Sequence, residues 1–221
     1  MSQEPALLQA ILNDPDDDAL RLVYADWLEE HGDPRSEFIR VQLQLARLPR
    51  TDPAYRRLWE RELELIRAHK EEWFGAMRQQ FMAWDVQRGF INHVTAELAV
   101  FMDKAPELCA AHPVESLVLH IHDGRGRSVQ RGELLQGMVE SDWLPRLIKL
   151  EVFTNTPRLT DEEFGRQLAE RGPWPRLKTI RLATFQMTGP TQTLLRDSFG
   201  KRLTLEVPQP NQQRRRRQID S

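Results

Sequence analysis

An α/β fold is predicted by three features of the sequence. Apolar residues recur at helical spacing over residues 1–80, a strand signal of the form L-x-x-L-x-L repeats after residue 88, and helix starts and stops lie between the repeats. Together they describe an N-terminal helical module of about four helices capping a short, irregular, leucine-rich-repeat-like solenoid with a parallel sheet.

Leu7, Leu8, Ile11 and Leu12 make the first helical stripe, which Asn13-Asp14-Pro15 interrupts. Leu20, Val23, Tyr24, Trp27 and Leu28 make the second, with Asp16, Asp17 and Asp18 at its start, where carboxylates cap free N–H groups and complement the helix dipole. Gly32 and Pro34 stop it. Phe38, Val41, Leu45 and Leu48 share one face of a third helix, closed by Pro49 and Pro53. A longer fourth helix carries Tyr55, Leu58, Trp59, Glu62, Leu65, Ile66, His69 and Trp73.

The aspartate triplet invites a cation reading, but it lacks the alternating ligands, the glycine and the distal glutamate of a calcium loop, so capping is the expected role. Asp26 falls on or beside the buried stripe, where an ion pair with Arg35 or Arg40 is expected to satisfy it.

The run Leu7–Leu12, Asp14-Pro15-Asp16-Asp17-Asp18, Arg21–Glu30 (RLVYADWLEE), Gly32-Asp33-Pro34-Arg35 and Glu37-Phe38-Ile39-Arg40 resembles the bacterial repeat-companion domain nearly end to end over residues 5–48. The resemblance implies a helical module lying beside repeats, leucine-rich-repeat-like ones among them. It implies no established activity, cofactor or catalytic residue.

Three segments follow the strand template: Val114, Leu117 and Leu119; Leu147, Leu150 and Val152; Leu177, Ile180 and Leu182. Pro145-Arg146-Leu147 and Pro175-Arg176-Leu177 are copies 30 positions apart. Ile91, Val94 and Ala96 echo the pattern at the beginning, and Leu203, Leu205 and Val207 at the end. Between them, residues 100–111 and 130–139 supply helices. Thr160-Asp161-Glu162-Glu163 reads as a capping box leading to Phe164 and Leu168, and Gly189-Pro190 opens a helix with Leu194, Leu195 and Phe199. The domains are therefore 1–80, the repeat-companion module; 88–207, the solenoid; and 208–221, a disordered basic tail. An α+β domain with a mixed sheet is the alternative, because the repeat spacing is uneven.

Side chains alternate along a strand, so the leucines also fix which residues face outward. They are His93, Thr95 and Glu97, then Ser116, Val118 and His120, then Lys149, Glu151 and Phe153. Thr179, Arg181 and Ala183 follow, and Arg202, Thr204 and Glu206 complete the set. Their mixed charge lacks the single-sign stripe that phosphate backbones demand, and suits a protein or peptide, with Val118 and Phe153 as apolar anchors.

Other chemistry finds little support. His120 and His122 share a strand face, and a metal site there needs a third ligand such as His93 or Asp123. Cys109, the single cysteine, reads as a buried structural thiol and excludes an intramolecular disulfide. Gly124-Arg125-Gly126-Arg127 has neither the glycine pattern nor the lysine-hydroxyl pair of a phosphate loop. Trp27, Trp59, Trp73, Trp84, Trp143 and Trp174 read as core and inter-module packing, with Trp73, Phe74, Phe81 and Trp84 at the seam between the modules.

Basic and acidic residues balance, 31 against 33, for a net charge of −2. No signal peptide and no membrane span is recognisable, so a cytoplasmic protein is expected. The expected function is that of a non-catalytic adaptor or scaffold that binds another protein or peptide with the outward sheet face, without cofactor or metal. Two alternatives stand beside it: a nucleic-acid-associated protein acting through the four arginines Arg214–Arg217, and a metal-dependent enzyme built on His120 and His122.

Overall fold

Asp17 and Asp52 start two helices by the same device: each carboxylate accepts the N–H two residues on, Ala19 at 2.7 Å and Ala54 at 2.8 Å. The computed structural model describes residues 3–75, 79–122, 128–155 and 160–206. Four helices come first, α1 (Glu4–Asn13), α2 (Asp18–Glu30), α3 (Arg35–Arg47) and α4 (Pro53–Phe74), at the places the apolar stripes indicate. They are followed by β1 (Ala83–Gln87), β2 (Phe90–Glu97), α5 (Leu98–Ala111), β3 (Ser116–Ile121), α6 (Ser128–Glu140), β4 (Lys149–Thr154), α7 (Thr160–Arg171), β5 (Thr179–Ala183), α8 (Gly189–Phe199) and β6 (Leu203–Glu206). The protein is thus α/β, with six strands in one mostly parallel sheet whose order follows the chain.

The chain forms two compact units. One holds residues up to Val94 together with Lys104–Val114, and the other Thr95–Asp103 together with the chain from Glu115. In the first, Ile11, Tyr24, Ala25, Leu28, Ile39, Leu43 and Phe90 make one buried cluster. The α2 stripe turns differently from expectation. Arg21, Tyr24, Ala25 and Leu28 face inward, whereas Val23 is 50% exposed. An arginine occupies an apolar position because its guanidinium lies 5.9 Å from the Phe90 ring centre and donates to the Asp17 carbonyl. Asp26 therefore faces solvent, and Arg40 bonds both Asp26 (2.7 Å) and Glu29 (2.8 Å). Arg35 instead donates to the Gly89 carbonyl and lies 4.8 Å from the Phe90 ring centre. Trp59 is a second correction to the core reading, being 46% exposed, because α4 buries Leu65, Trp73 and Phe74 instead. The thiol of Cys109 is buried.

Strand β1 was absent from the sequence expectation. It joins β2 through Arg88 and Gly89, both at positive φ (52° and 88°), a pairing suited to a two-residue hairpin turn. Such a short link joins antiparallel neighbours, so the sheet is mixed at this end.

In the second unit β3 to β6 pair in parallel: Leu117 with Leu150 and then Ile180, and Leu119 with Val152, Leu182 and then Leu205. Leu117, Leu119, Leu150, Val152, Ile180 and Leu182 are fully buried on one sheet face, while α6 packs on α7 and α7 on α8. The two Pro-Arg-Leu copies recur as structure. The Glu115 carbonyl accepts from Ile148 and Lys149, and the Ile148 carbonyl accepts from Lys178 and Thr179. Asp161 does more than open α7: it is wholly buried, accepting from Arg131 and from the Gln186 N–H at 2.8 Å. Its neighbour Glu162 accepts the N–H of Thr188 at 2.7 Å as well as the hydroxyls of Thr188 and Thr191 at the start of α8.

Candidate functional site

Opposite the buried face, the parallel register lines up side chains that the sequence places far apart. Ser116, Lys149 and Thr179 form one row; Val118, Glu151, Arg181 and Thr204 the next; His120, Phe153, Ala183 and Glu206 the third. Each strand feeds this face with every second residue because its leucines are committed to the interior. Ser116, Val118, His120, Lys149, Glu151, Phe153 and Arg181 are partly accessible, and Thr179, Thr204 and Glu206 are exposed. Two assignments need correction. Ala183 is buried, and Arg202 belongs to a 3-10 turn, Gly200–Arg202, that precedes β6. On β2, His93 and Thr95 are half-buried and Glu97 is exposed.

A continuous stack runs along the third row and into Arg181 of the second. The rings of His122 and His120 lie 6.1 Å apart and 12° from parallel, and His120 and Phe153 lie 5.3 Å apart at 15°. The Arg181 guanidinium follows, 5.0 Å from the Phe153 ring centre, so a cation meets the negative face of the ring. Arg181 in turn donates to Glu206 at 2.6 and 2.9 Å, and His122 Nδ1 lies 3.6 Å from Glu97 at the other end. Lys149 of the first row and Glu151 of the second pair at 3.4 Å. The result is a flat ribbon of rings and one guanidinium, with a carboxylate at each end.

Sequence periodicity put His120, Phe153 and Arg181 on one face without showing that they touch. The signal was nonetheless present: the Pro-Arg-Leu copies align Lys149 with Thr179, which sets Glu151 beside Arg181 and Phe153 beside Ala183. The sequence reading missed a groove of ≈ 470 Å³ in the first unit, lined by Gln42, Tyr55, Trp59, Glu62 and Arg88 among others. Exposed Trp59 is its mark.

The ribbon holds aromatic and guanidinium surface rather than a nucleophile with an activating base. Near-parallel imidazoles direct their lone pairs within separate planes, which does not suit a shared ion. Among the described residues no three His, Cys, Asp or Glu side chains converge as a metal would require. Asp123, Gly124–Arg127, Val207 and the Arg214–Arg217 tail lie outside the described residues. No described helix is long and apolar enough to cross a membrane. No protein-family model, curated protein or solved structure matches this chain.

Proposed function

We propose that this chain is a non-catalytic adaptor, a leucine-rich-repeat-like solenoid preceded by a repeat-companion module, that binds a protein or peptide on the outward face of β3 to β6. The observation that carries this reading is the stack from His122 through His120 and Phe153 to Arg181. Aromatic rings and arginine are the side chains that concentrate binding energy at protein interfaces. His120, Phe153 and Arg181 lie on strands, so little of their side-chain freedom is lost on binding. The repeat reading is supported by the Pro-Arg-Leu copies and their matching carbonyl contacts. The repeat-companion reading is supported by the quoted run occupying α1 to α3 and the turns between them.

The test is photo-crosslinking in the native cell, with the reactive residue at Val118 or, as control, at Arg166 on α7. One protein adduct specific to Val118, lost in Phe153→Ala and Arg181→Glu chains that remain folded, is the expected result. Equal adducts at both positions, or adducts indifferent to both substitutions, would overturn the reading.

A further inference from the structure

Along α4, Glu60 and Glu64 each pair with an arginine of the same helix, Arg56 and Arg61, at 2.9 Å. Glu62, between them, pairs with no cation among the described residues. It lines the groove of ≈ 470 Å³ in the first unit, where its carboxylate accepts from a neutral group, the Gln42 amide, at 2.7 Å. Asp85 lines the same groove from β1 and is alike: it is exposed and accepts from the Val86 N–H at 2.8 Å. Gln42 also donates to the Val86 carbonyl at 3.3 Å, so both carboxylates belong to its end of the groove.

The opposite end is basic. Arg50, in the link between α3 and α4, is exposed and meets no carboxylate among the described residues, whereas the other lining arginine, Arg88, is held by Asp18 at 3.3 Å. Between the two ends lie Leu45 and the rings of Tyr55 and Trp59, and their helical spacing puts both rings on the face of α4 that carries Glu62. Trp59 is 46% exposed there. An aromatic floor with carboxylates at one end and a guanidinium at the other is chemistry that no internal contact uses.

We propose that this groove takes a short extended segment of a partner protein in which a basic and an acidic residue stand three places apart with an apolar one between them. The basic head lies between Glu62 and Asp85 with its stem along Trp59, because ring face and carboxylates attract the same charge. The acidic residue meets Arg50, and the apolar one meets Leu45 and Tyr55. The spacing comes from α4: Tyr55 and Glu62 are two turns apart, about 10 Å of rise, which about three residues of extended chain span. A phosphate backbone would instead meet two carboxylates that no cation offsets. The site belongs to the first unit, and it does not rest on what the outward face of β3 to β6 binds.

Fluorescence anisotropy of a labelled, blocked peptide, Gly-Arg-Gln-Ile-Asp-Gly, titrated with the full chain tests the proposal. Its core occurs in this chain as Arg217–Asp220, so the titration is repeated with an Arg217→Gln/Asp220→Asn chain, which has no matching segment of its own. Saturable binding to both chains, with Kd on the order of 100 μM, is expected for so small a contact. Trp59→Ala should weaken it about tenfold, and so should Glu62→Gln/Asp85→Asn, whose amides still accept from Gln42 and the Val86 N–H. Arg50→Glu should weaken it about as much and should gain binding to the peptide with lysine in place of aspartate. Arg50 is exposed, so this reversal separates loss of binding from loss of fold, which circular dichroism checks. Absence of saturable binding to either chain would overturn the proposal, as would a Kd indifferent to these substitutions or an Arg50→Glu chain with no preference for the lysine peptide. Binding seen only with the Arg217→Gln/Asp220→Asn chain would assign the groove to the chain's own segment and overturn the partner reading.

Discussion

Gln42 and Gly89 meet at 2.6 Å, the side-chain carbonyl of a helix residue accepting the N–H at the tip of the β1–β2 hairpin. The same amide donates to Glu62 at 2.7 Å and to the Val86 carbonyl at 3.3 Å. One buried side chain thus ties α3 to α4, to β1 and to the tip of the hairpin. Of these partners the Gly89 N–H is buried, whereas Glu62 and Val86 are half-buried.

Replacing Gln42 with leucine keeps the volume and removes the dipoles. Stability should fall by about 1–3 kcal/mol, because the buried Gly89 N–H left without its partner carries its full desolvation cost. Chemical denaturation measures it. Gln42→Glu should also destabilise, since a second carboxylate would then stand beside Glu62, and its deficit should shrink as the pH is lowered toward 4.

Gly89 is required twice over. Its φ of +88° disfavours any side chain, and an added Cβ would lie 2.3 Å from Ile39 Cγ1. Gly89→Ala should therefore cost about 2–4 kcal/mol, read from the denaturation midpoint. Trimming the neighbour in an Ile39→Ala/Gly89→Ala chain should cost less than the sum of the two single changes, because the clash is counted in one and absent from the pair.

The helices and β3 to β6 were legible because each is written in a repeating apolar pattern and bounded by Pro, Gly or Asp. Strand β1 was not, because Ala83-Trp84-Asp85-Val86-Gln87 exposes alternate residues and contains little that a strand pattern selects. Arg21 misled for a different reason. Charged residues are expected outside, and contacts such as those with the Phe90 ring and the Asp17 carbonyl make its buried position tolerable. At the candidate site the outward residues followed from period two, while the stack needed the inter-strand register as well. The register rests on carbonyls such as those of Glu115 and Ile148, which any residue type supplies.

Arg131 and Asp161 form an ion pair from which water is excluded, 2% and 0% exposed. Asp161→Ala should cost about 3–5 kcal/mol, because it strands a guanidinium in the interior and removes the acceptor of the Gln186 N–H. Replacing both partners, Arg131→Met with Asp161→Leu, should recover most of that loss by leaving no charge to desolvate. Thermal unfolding of the two variants decides it: a double variant as unstable as the single one would show that the pair's geometry, not the orphaned charge, supports α6 and α7.

The pH dependence of stability should be set first by His112. Its ring is buried against Phe74 and Phe90, with Nδ1 3.4 Å from the Ile91 nitrogen, so Nδ1 accepts that N–H and the neutral ring carries its proton on Nε2. Burial, aided by the positive charge of Arg35, pushes its pKa down to about 3 from 6.5. Above pH 6.5 the ring is neutral whether the chain is folded or not, and it has no effect on the balance. Below 6.5 the unfolded chain takes up a proton that the folded chain refuses, so stability falls from pH 6.5 down to about 3, by up to about 1.4 kcal/mol per pH unit. Asp18, Glu37, Glu162 and Glu163 are also held below their ordinary values, the last three by hydrogen bonds from Arg61, Thr191 and Arg166, and Asp18 by Arg47 and Arg88 against the opposing effect of burial. Those carboxylates cost stability only as the pH drops below 4.5 or, for Asp18, 3.8, below most of the range in which the histidine acts. Urea unfolding at steps between pH 7.5 and 4.5 should show that slope in the native chain and a flatter one in His112→Gln, whose amide can still accept from Ile91. Equal slopes in the two proteins would mean that His112 becomes charged without loss of the fold.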